Sequence, residues 1–196
     1  MIYHTNMLAQ SLLKLHGQLY SPQQAQQLLS RLIEEIAWQQ DFIAFGRRFD
    51  VPRLQAWYAD AGVHYRYSDN KLQSHPWTDR LLAIKQEVET LTGHGFNSVL
   101  LTYYRNGHDH VNWHADDEPE LGEAPVIASL SLGASREFQY RHKQRDEHGS
   151  LQLQDGELLV MQPQFQHEWE HRVPAQAEIK APRINLTFRL VVTQAA

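Results

Sequence analysis

The sequence predicts a mainly β (α+β) protein that folds as a double-stranded β-helix, or jelly roll, with two N-terminal helices packed on one face. Two observations predict this class. From Phe96 onward, short apolar segments alternate with turn signals and give about eight strands in roughly 100 residues. Before that point, two segments repeat apolar residues at helical spacing. No repeat, linker or low-complexity segment interrupts the 196 residues, so we expect one domain.

The two helices are predicted from their start signals. Ser21 followed by proline, and by glutamine three residues on, is the pattern of a capping box that begins the first helix. Its apolar face is Ala25, Leu28, Leu29, Leu32, Ile33 and Ile36. The second helix begins at Thr78 and ends at Gly93. Between the helices, residues 42–70 are rich in aromatic side chains and are expected to form short strands and loops.

The strands of the core follow in order after the second helix. They are predicted at residues 96–104, 110–114, 126–132, 136–142, 150–153, 157–161, 168–173 and 183–192. Turn signals at Asn106-Gly107, Asp155-Gly156 and Pro163 separate several of them. Residues 1–41 are therefore expected to be an N-terminal extension with the first helix, 42–95 a middle region with the second helix, and 96–192 the jelly-roll core.

Composition excludes several classes of site. There are no cysteines, which excludes disulfides, thiolate metal sites and cysteine nucleophiles. The sequence shows no signal peptide and no membrane span, so we expect a cytoplasmic protein, or a nuclear one in a eukaryote. The net charge of −5 argues against a large nucleic-acid interface. Two basic clusters could still contact phosphates or form solvated faces: Arg47, Arg48, Arg53, Arg66 and Lys71, and Arg136, Arg141, Lys143 and Arg145.

Three residues form a candidate metal site. His114 and Asp116 are two positions apart, and such residues point to the same side of a strand. They form the one His-x-Asp or His-x-Glu pattern in the sequence, which has twelve histidines. With His171 as the third ligand, two histidines and a carboxylate can hold Fe(II) and leave coordination positions open. His167 is the rival for the third position.

The last strand carries a candidate anion site. Arg183, Asn185, Thr187 and Arg189 share one face of this strand. An ordinary half-buried strand would turn such a face to water. Because Arg183 follows His171 by twelve residues, the polar face could instead hold a small dianion beside the metal.

These motifs together resemble the AlkB family of iron- and 2-oxoglutarate-dependent nucleic-acid dealkylases, and most closely its compact DNA-repair branch. The similarity runs from about Phe42 to Val192. It rests on Tyr104-Arg105-Asn106-Gly107-His108-Asp109, His114-Ala115-Asp116-Asp117-Glu118, His171 and Arg183-x-Asn185-x-Thr187-x-Arg189, together with Phe45-Gly46, Val51-Pro52-Arg53, Trp57-Tyr58, residues 127–133 and Ala181-Pro182-Arg183.

The resemblance implies roles for the metal and cosubstrate residues. His114, Asp116 and His171 ligate Fe(II). Arg183 pairs with the distal carboxylate of 2-oxoglutarate, and Tyr104 donates a hydrogen bond to it. Asn185 and Arg189 lie near the keto-acid end. The family often has asparagine where this chain has Thr102, and threonine reaches less far as a cosubstrate contact.

The resemblance also implies which residues contact the substrate. Asp117 and Glu118 face the base and read its exocyclic nitrogen. Trp57 and Tyr58 wall the base pocket, although aromatic residues in a small protein often fill the core instead. Arg53 and Phe45 touch the nucleic acid. Residues 42–95 become the nucleotide-recognition region.

The implied activity is oxidative demethylation of N-alkylated bases, as in DNA alkylation repair. With Fe(II), 2-oxoglutarate and O₂, the methyl group of 1-methyladenine or 3-methylcytosine is hydroxylated and leaves as formaldehyde, while 2-oxoglutarate is decarboxylated to succinate. The partner is alkylated DNA or RNA, not a membrane, and the protein is expected to be a monomer. The alternatives are a 2-oxoglutarate-dependent hydroxylase of a protein or small molecule, and a non-catalytic cupin-like metal-binding module.

Overall fold

The computed structural model describes residues 7–44, 47–63, 66–67, 70–71 and 74–192. The helices are α1 (Met7–Leu12), α2 (Pro22–Glu35), α3 (Asp79–Thr92) and α4 (Pro163–Glu168), with a 3₁₀ turn at Pro119–Leu121. The strands are β1 (Leu13–Gln18), β2 (Gln39–Ala44), β3 (Arg47–Ala59), β4 (Arg66–Tyr67), β5 (Asn70–Lys71), β6 (Ser74–His75), β7 (Ser98–Tyr104), β8 (Val111–His114), β9 (Ile127–Gly133), β10 (Arg136–His142), β11 (His148–Leu153), β12 (Glu157–Met161), β13 (Trp169–Val173) and β14 (Arg183–Arg189).

Two sheets built largely of antiparallel strands form the jelly roll. The large sheet has the strand order β1-β12-β9-β14-β7-β3-β2, and β6 pairs with β3 in parallel. The small sheet has the order β11-β10-β13-β8. Residues of both sheets line one cavity between them. The predicted jelly roll is therefore confirmed, and its cavity is the natural place for a site.

The two long helices cover the outer face of the large sheet, as predicted. Their apolar residues, which include Leu29, Leu32 and Ile84, form one core cluster with Leu130 and Leu186 of the sheet. A second cluster lies on the other side of the large sheet and contains Trp57, Leu100, Phe138 and other buried residues. Because the large sheet is buried on both faces, its central strands expose neither side to water.

The predicted starts of both helices are confirmed by their caps. The Ser21 side chain accepts from Gln24 N, and the Gln24 side chain accepts in return from Ser21 N at 3.1 Å. Thr78 Oγ1 accepts from Leu81 N at 3.2 Å. The second predicted helix, α3, ends at Gly93, whose φ of 73° is the left-handed conformation that glycine adopts without strain.

Other elements differ from the prediction. Residues 13–18 form a strand at the edge of the large sheet, although they were expected within an N-terminal extension. Residues 47–59 form one long strand where short strands and loops were expected. Its Pro52 lies between the two parts of the ladder with β2, at an irregularity where a missing N–H breaks no strand pairing.

Among the described residues, no helix is both long enough and apolar enough to cross a membrane.

Candidate active site

Two histidines meet across the small sheet. His114 on β8 and His171 on β13 are directly opposed in the ladder, and their ring centroids are 4.3 Å apart. Directly opposed residues on antiparallel strands present their side chains next to each other on one face. Pairing between distant segments therefore brings together two imidazoles that are 57 residues apart in sequence.

Asp116 completes the group just beyond the end of β8. Its side chain is buried, and its Oδ2 lies 3.9 Å from His171 Nε2. Both histidines and Asp116 line the same cavity. His167 does not: it is exposed, and its Nε2 lies 2.5 Å from the carbonyl oxygen of Glu123. The structure therefore places His171, and not the rival histidine, beside His114.

The protonation states of His114, His171 and Asp116 allow these side chains to bind a metal cation. Burial lowers the pKa of His114 and, with the charge of His114 adding to it, lowers that of His171 to about 3. Burial alone would raise the pKa of Asp116, but the charges of Arg189 and the two histidines outweigh it, and the pKa is lowered. At neutral pH the group therefore offers two neutral imidazoles and one carboxylate, which is a set of donors that fits Fe(II).

The hydrogen bonds of these residues also fit a metal. His114 Nδ1 lies 2.8 Å from the carbonyl oxygen of Asn112, so Nδ1 donates and Nε2 keeps its lone pair for a cation. His171 Nδ1 is buried and has no hydrogen-bond partner in the described part of the chain. Arg189 Nη2 donates to Asp116 Oδ1 at 2.5 Å and holds the carboxylate in place.

The polar face of β14 lines the cavity next to this group. Arg183, Asn185, Thr187 and Arg189 all line it, and each is buried. The alternative of a solvated strand face is therefore excluded. β14 lies in the middle of the large sheet between β9 and β7. All seven of its residues are buried, so neither of its faces reaches water.

Arg183 is a buried cation that is only partly hydrogen-bonded. Its Nη2 donates to Ser131 Oγ at 2.9 Å and to Asn185 Oδ1 at 2.7 Å. Its Nε and Nη1 have no hydrogen-bond partner among the described residues. Burial lowers its pKa to about 10, against the opposing effect of Tyr104, so the guanidinium remains charged at pH 7. A carboxylate would satisfy the remaining donors of such a group.

Tyr104 and Thr102 lie opposite the polar face, on the neighbouring strand. The register pairs Arg183 with Tyr104 and Asn185 with Thr102. The Arg183 guanidinium carbon is 5.2 Å from the centre of the Tyr104 ring. Both residues line the cavity, so the structure brings together every metal and cosubstrate residue that the sequence predicted.

Two serines of the site were missed by sequence reasoning. Ser129 Oγ donates to Asn185 Oδ1 at 3.0 Å, and Ser131 accepts from Arg183. The signal was present in the Ser-Leu-Ser alternation of β9. Their function depends on the register that sets Ser131 opposite Asn185, and one strand's sequence does not show that register.

The residues predicted to contact the substrate do not all lie in the cavity. Arg53 lines the cavity, and its Nη1 donates to the carbonyl oxygen of His110 at 3.3 Å. Asp117 is exposed and pairs with Lys143 at 2.7 Å, and Glu118 is half-buried beside it. Neither of these two acids lines the cavity. Phe45 lies outside the described residues.

The expectation that Trp57 and Tyr58 wall the base pocket is corrected by the structure. Consecutive strand residues face opposite sides of a sheet. Trp57 is 2% exposed within the core between the sheets, and Tyr58 is 4% exposed within the core beneath the helices. The Tyr58 hydroxyl accepts from Ala37 N at 3.2 Å. Neither ring lines the cavity or is accessible to a base.

The expectation for the second basic cluster is wrong for one of its members, Arg136, which is buried. Its Nη2 donates to the carbonyl oxygens of Asp109 at 2.9 Å and Pro174 at 2.6 Å, and its Nε to Gln176 Oε1 at 3.1 Å. Its guanidinium carbon is 5.4 Å from the centre of the Tyr104 ring. Arg136 therefore links the loop before β8 to the loop after β13 and is not a phosphate contact.

A jelly roll with two histidines, an aspartate and a buried arginine around one cavity defines the class of iron- and 2-oxoglutarate-dependent oxygenases. Consistently, the model of the "2OG-Fe(II) oxygenase superfamily" matches residues 11–189. Two solved structures share the fold. They are "The structure of OsALKBH1", with a TM-score of 0.61, 17% identity and 91% and 97% of the two chains covered, and a Pseudomonas putida prolyl-4-hydroxylase, with a TM-score of 0.53, 16% identity and coverages of 92% and 94%.

Proteins of similar sequence identify the family of this chain within the superfamily. The "alpha-ketoglutarate-dependent dioxygenase alkB homolog 3" of Bos taurus is 42% identical over 86% of this chain and 62% of its own length. The "DNA oxidative demethylase ALKBH2" of Mus musculus is 38% identical over 89% of this chain and 78% of its own length. The chain belongs to the AlkB family of this superfamily. Membership implies Fe(II), 2-oxoglutarate and O₂ as cofactor and cosubstrates. The chain spans 62% of the length of the bovine relative.

Proposed function

We propose that this chain is an oxidative demethylase that acts on 1-methyladenine and 3-methylcytosine in DNA. RNA that carries the same lesions is a second substrate to be tested. The observation that carries the proposal is the shared cavity, in which His114, Asp116 and His171 face the buried Arg183. Relatives in sequence, which include a DNA oxidative demethylase, support the choice of substrate class.

The residues divide into a metal group and a cosubstrate group. His114, Asp116 and His171 would hold Fe(II), and Arg189 fixes the carboxylate among them through its bond to Oδ1. Arg183 would bind the distal carboxylate of 2-oxoglutarate with its remaining N–H donors, beside the Tyr104 hydroxyl. Bound Fe(II), with 2-oxoglutarate and O₂, supplies the oxidation that hydroxylates an N-linked methyl group, which then leaves as formaldehyde.

The charge of the cavity supports a dianionic cosubstrate. Three arginines line it (Arg53, Arg183 and Arg189), and Asp116 is the one carboxylate among the lining residues. With both histidines neutral, the wall carries an excess of positive charge that two carboxylates can offset. A buried anion is stable only when it is paired, and this wall provides the partners.

Arg53 is the predicted substrate contact that the geometry supports best. It lies on β3 and reaches the cavity, and its bond to the carbonyl oxygen of His110 leaves further donors for a phosphate or a base. An alkylated base must leave the stack to reach the metal group, and a lesion that blocks pairing lowers the cost of flipping.

The deciding experiment measures formaldehyde and succinate from a 3-methylcytosine oligonucleotide with Fe(II), ascorbate and 2-oxoglutarate. We expect formaldehyde from the methylated oligonucleotide with at least as much succinate, and no formaldehyde from the unmethylated oligonucleotide. Succinate without formaldehyde across a panel of methylated DNA and RNA would favour a hydroxylase of a protein or small molecule. Absence of both products would favour the non-catalytic module.

A variant separates nucleic-acid binding from the chemistry. Arg53→Ala should weaken binding to the methylated oligonucleotide strongly and lower succinate formation without DNA much less. Arg172→Ala is the matched control, because Arg172 lies over Trp113 and donates to Gln139 at 2.7 Å on strands of the small sheet, and does not line the cavity. Equal loss of both activities in Arg53→Ala would contradict the assignment.

A further inference from the structure

A buried glutamine lies directly behind the metal-binding turn. Gln166 is on α4, is 0% exposed and is next to Phe165, which is also fully buried. Its Oε1 accepts a hydrogen bond from Asp116 N at 2.9 Å, and its Nε2 lies 3.5 Å from Met161 Sδ. Burying an amide costs free energy unless it is hydrogen-bonded, so its partners define its role.

The hydrogen bond from Asp116 N to Gln166 satisfies a backbone donor that the strand pairing leaves without a partner. β8 ends at His114, so the buried N–H of Asp116 lies beyond the strand ladder. A buried N–H without a partner is unfavourable, and the Gln166 side chain supplies that partner. Gln166 therefore fixes the backbone of Asp116, while Arg189 fixes its carboxylate at the other end of the side chain.

Lys143 adds a second restraint to the same turn. Its Nζ donates to Asp117 Oδ2 at 2.7 Å and to the carbonyl oxygen of Gln166 at 2.8 Å. The turn at residues 116–117 is thus linked to α4 twice, once through the Gln166 side chain and once through Lys143. Asp117, which the family resemblance places at the substrate base, takes part in this link.

We propose that Gln166 is a positioning residue for the metal site: it holds Asp116 in the orientation that a divalent cation requires. The inference rests on the proposed function, because it assumes that Asp116 binds the metal. Partners that orient a metal ligand typically raise affinity by about 10- to 100-fold. Gln166 would act at that level through the backbone of Asp116 and without touching the metal.

The test measures Co(II) binding, by calorimetry and by the visible ligand-field spectrum, in place of activity. Gln166→Met keeps the length of the side chain and removes the acceptor, so it should lower Co(II) affinity by about 10- to 100-fold. Gln166→Glu keeps an acceptor oxygen at the same reach. Because a carboxyl buried beside Asp116 is neutral, this variant should bind Co(II) close to the wild type. Leu32→Ala, in the core beneath the helices, is the control for a general loss of stability.

The outcomes separate this inference from the proposed function. Wild-type affinity in Gln166→Met, or an equal loss in Gln166→Glu or Leu32→Ala, would overturn the positioning role. If Gln166→Met does not fold, Gln166→Asn keeps the amide but is one methylene too short to reach Asp116 N, and unchanged Co(II) affinity there overturns the proposal. A wild type that binds Co(II) but releases no formaldehyde overturns the proposed function alone. One that binds no Co(II) overturns both.

Discussion

At the scale of single residues, two histidines four positions apart have very different surroundings. His171 is buried beside His114, and His167 is exposed against a backbone carbonyl. We expect His171→Ala to abolish 2-oxoglutarate turnover, because it removes one of the three proposed metal ligands. His167→Ala, the matched control, should keep turnover. Succinate formation under saturating Fe(II) measures both, and an active His171→Ala enzyme would refute the assignment.

Arg183 provides a second test at this scale. Arg183→Ala should weaken 2-oxoglutarate binding by about 2–5 kcal/mol, the usual cost of truncating one partner of a buried charge pair. Because the free protein buries this cation with two nitrogens unbonded among the described residues, its stability without ligand should fall little. Calorimetric titration with 2-oxoglutarate and Mn(II) checks the affinity. Unchanged binding would contradict the proposed pairing.

At the scale of elements, the cap of α3 has a predictable contribution to stability. Thr78→Ala removes the acceptor for Leu81 N and should lower the free energy of unfolding by about 1 kcal/mol. Thr90→Ala in the same helix is the control. Its exposed hydroxyl donates to the carbonyl oxygen of Gln86 one turn earlier, a bond that does not stabilise a helix. Urea denaturation compares the two, and equal losses would contradict the capping role.

The loop between β7 and β8 should give stability a dependence on pH. Burial would raise the pKa of Asp109, but hydrogen bonds and the charge of Arg105, 2.7 Å away, outweigh it and lower the pKa. In the unfolded chain the pKa of this carboxyl is about 3.9. The contribution of Asp109 to stability is therefore complete above that pH, and it is lost as the pH falls through the lower pKa of the folded state. The stability difference between wild type and Asp109→Asn, from urea denaturation, should therefore shrink below about pH 4. A constant difference would contradict this.

Elements also show how far the sequence determines the fold. Capping residues and helical spacing predict α2 and α3, and alternation predicts most strands after residue 96, because these signals are local. Leu13–Gln18 is a strand because β12 provides an edge to pair with, and α4 has only six residues, so neither has a strong local signal. At the site, one strand's alternation predicts the polar face of β14. Gln166 depends on contacts between distant segments and leaves no pattern in the sequence.

At the scale of the whole molecule, the site lies between the two sheets, and its walls come from both. A ligand that binds there stabilises the folded state by mass action, because the unfolded chain has no such cavity. Mn(II) with 2-oxoglutarate at about 100 times its dissociation constant should add about 2.7 kcal/mol beyond Mn(II) alone. For a chain of this size, that corresponds to a rise in Tm of roughly 5–10 °C.

The same Tm measurement, made on variants, distinguishes the metal group of the site from its cosubstrate group. Arg183→Ala should keep the Mn(II) increment and lose the 2-oxoglutarate increment. The proposed metal ligands lie on the small sheet and in the turn after β8, whereas Arg183 lies in the middle of the large sheet. His171→Ala should lose both increments, since the proposed function has 2-oxoglutarate bind partly through the metal. Arg172→Ala, outside the cavity, should keep both. A 2-oxoglutarate increment that survives in Arg183→Ala would mean that another cation of the cavity holds the distal carboxylate.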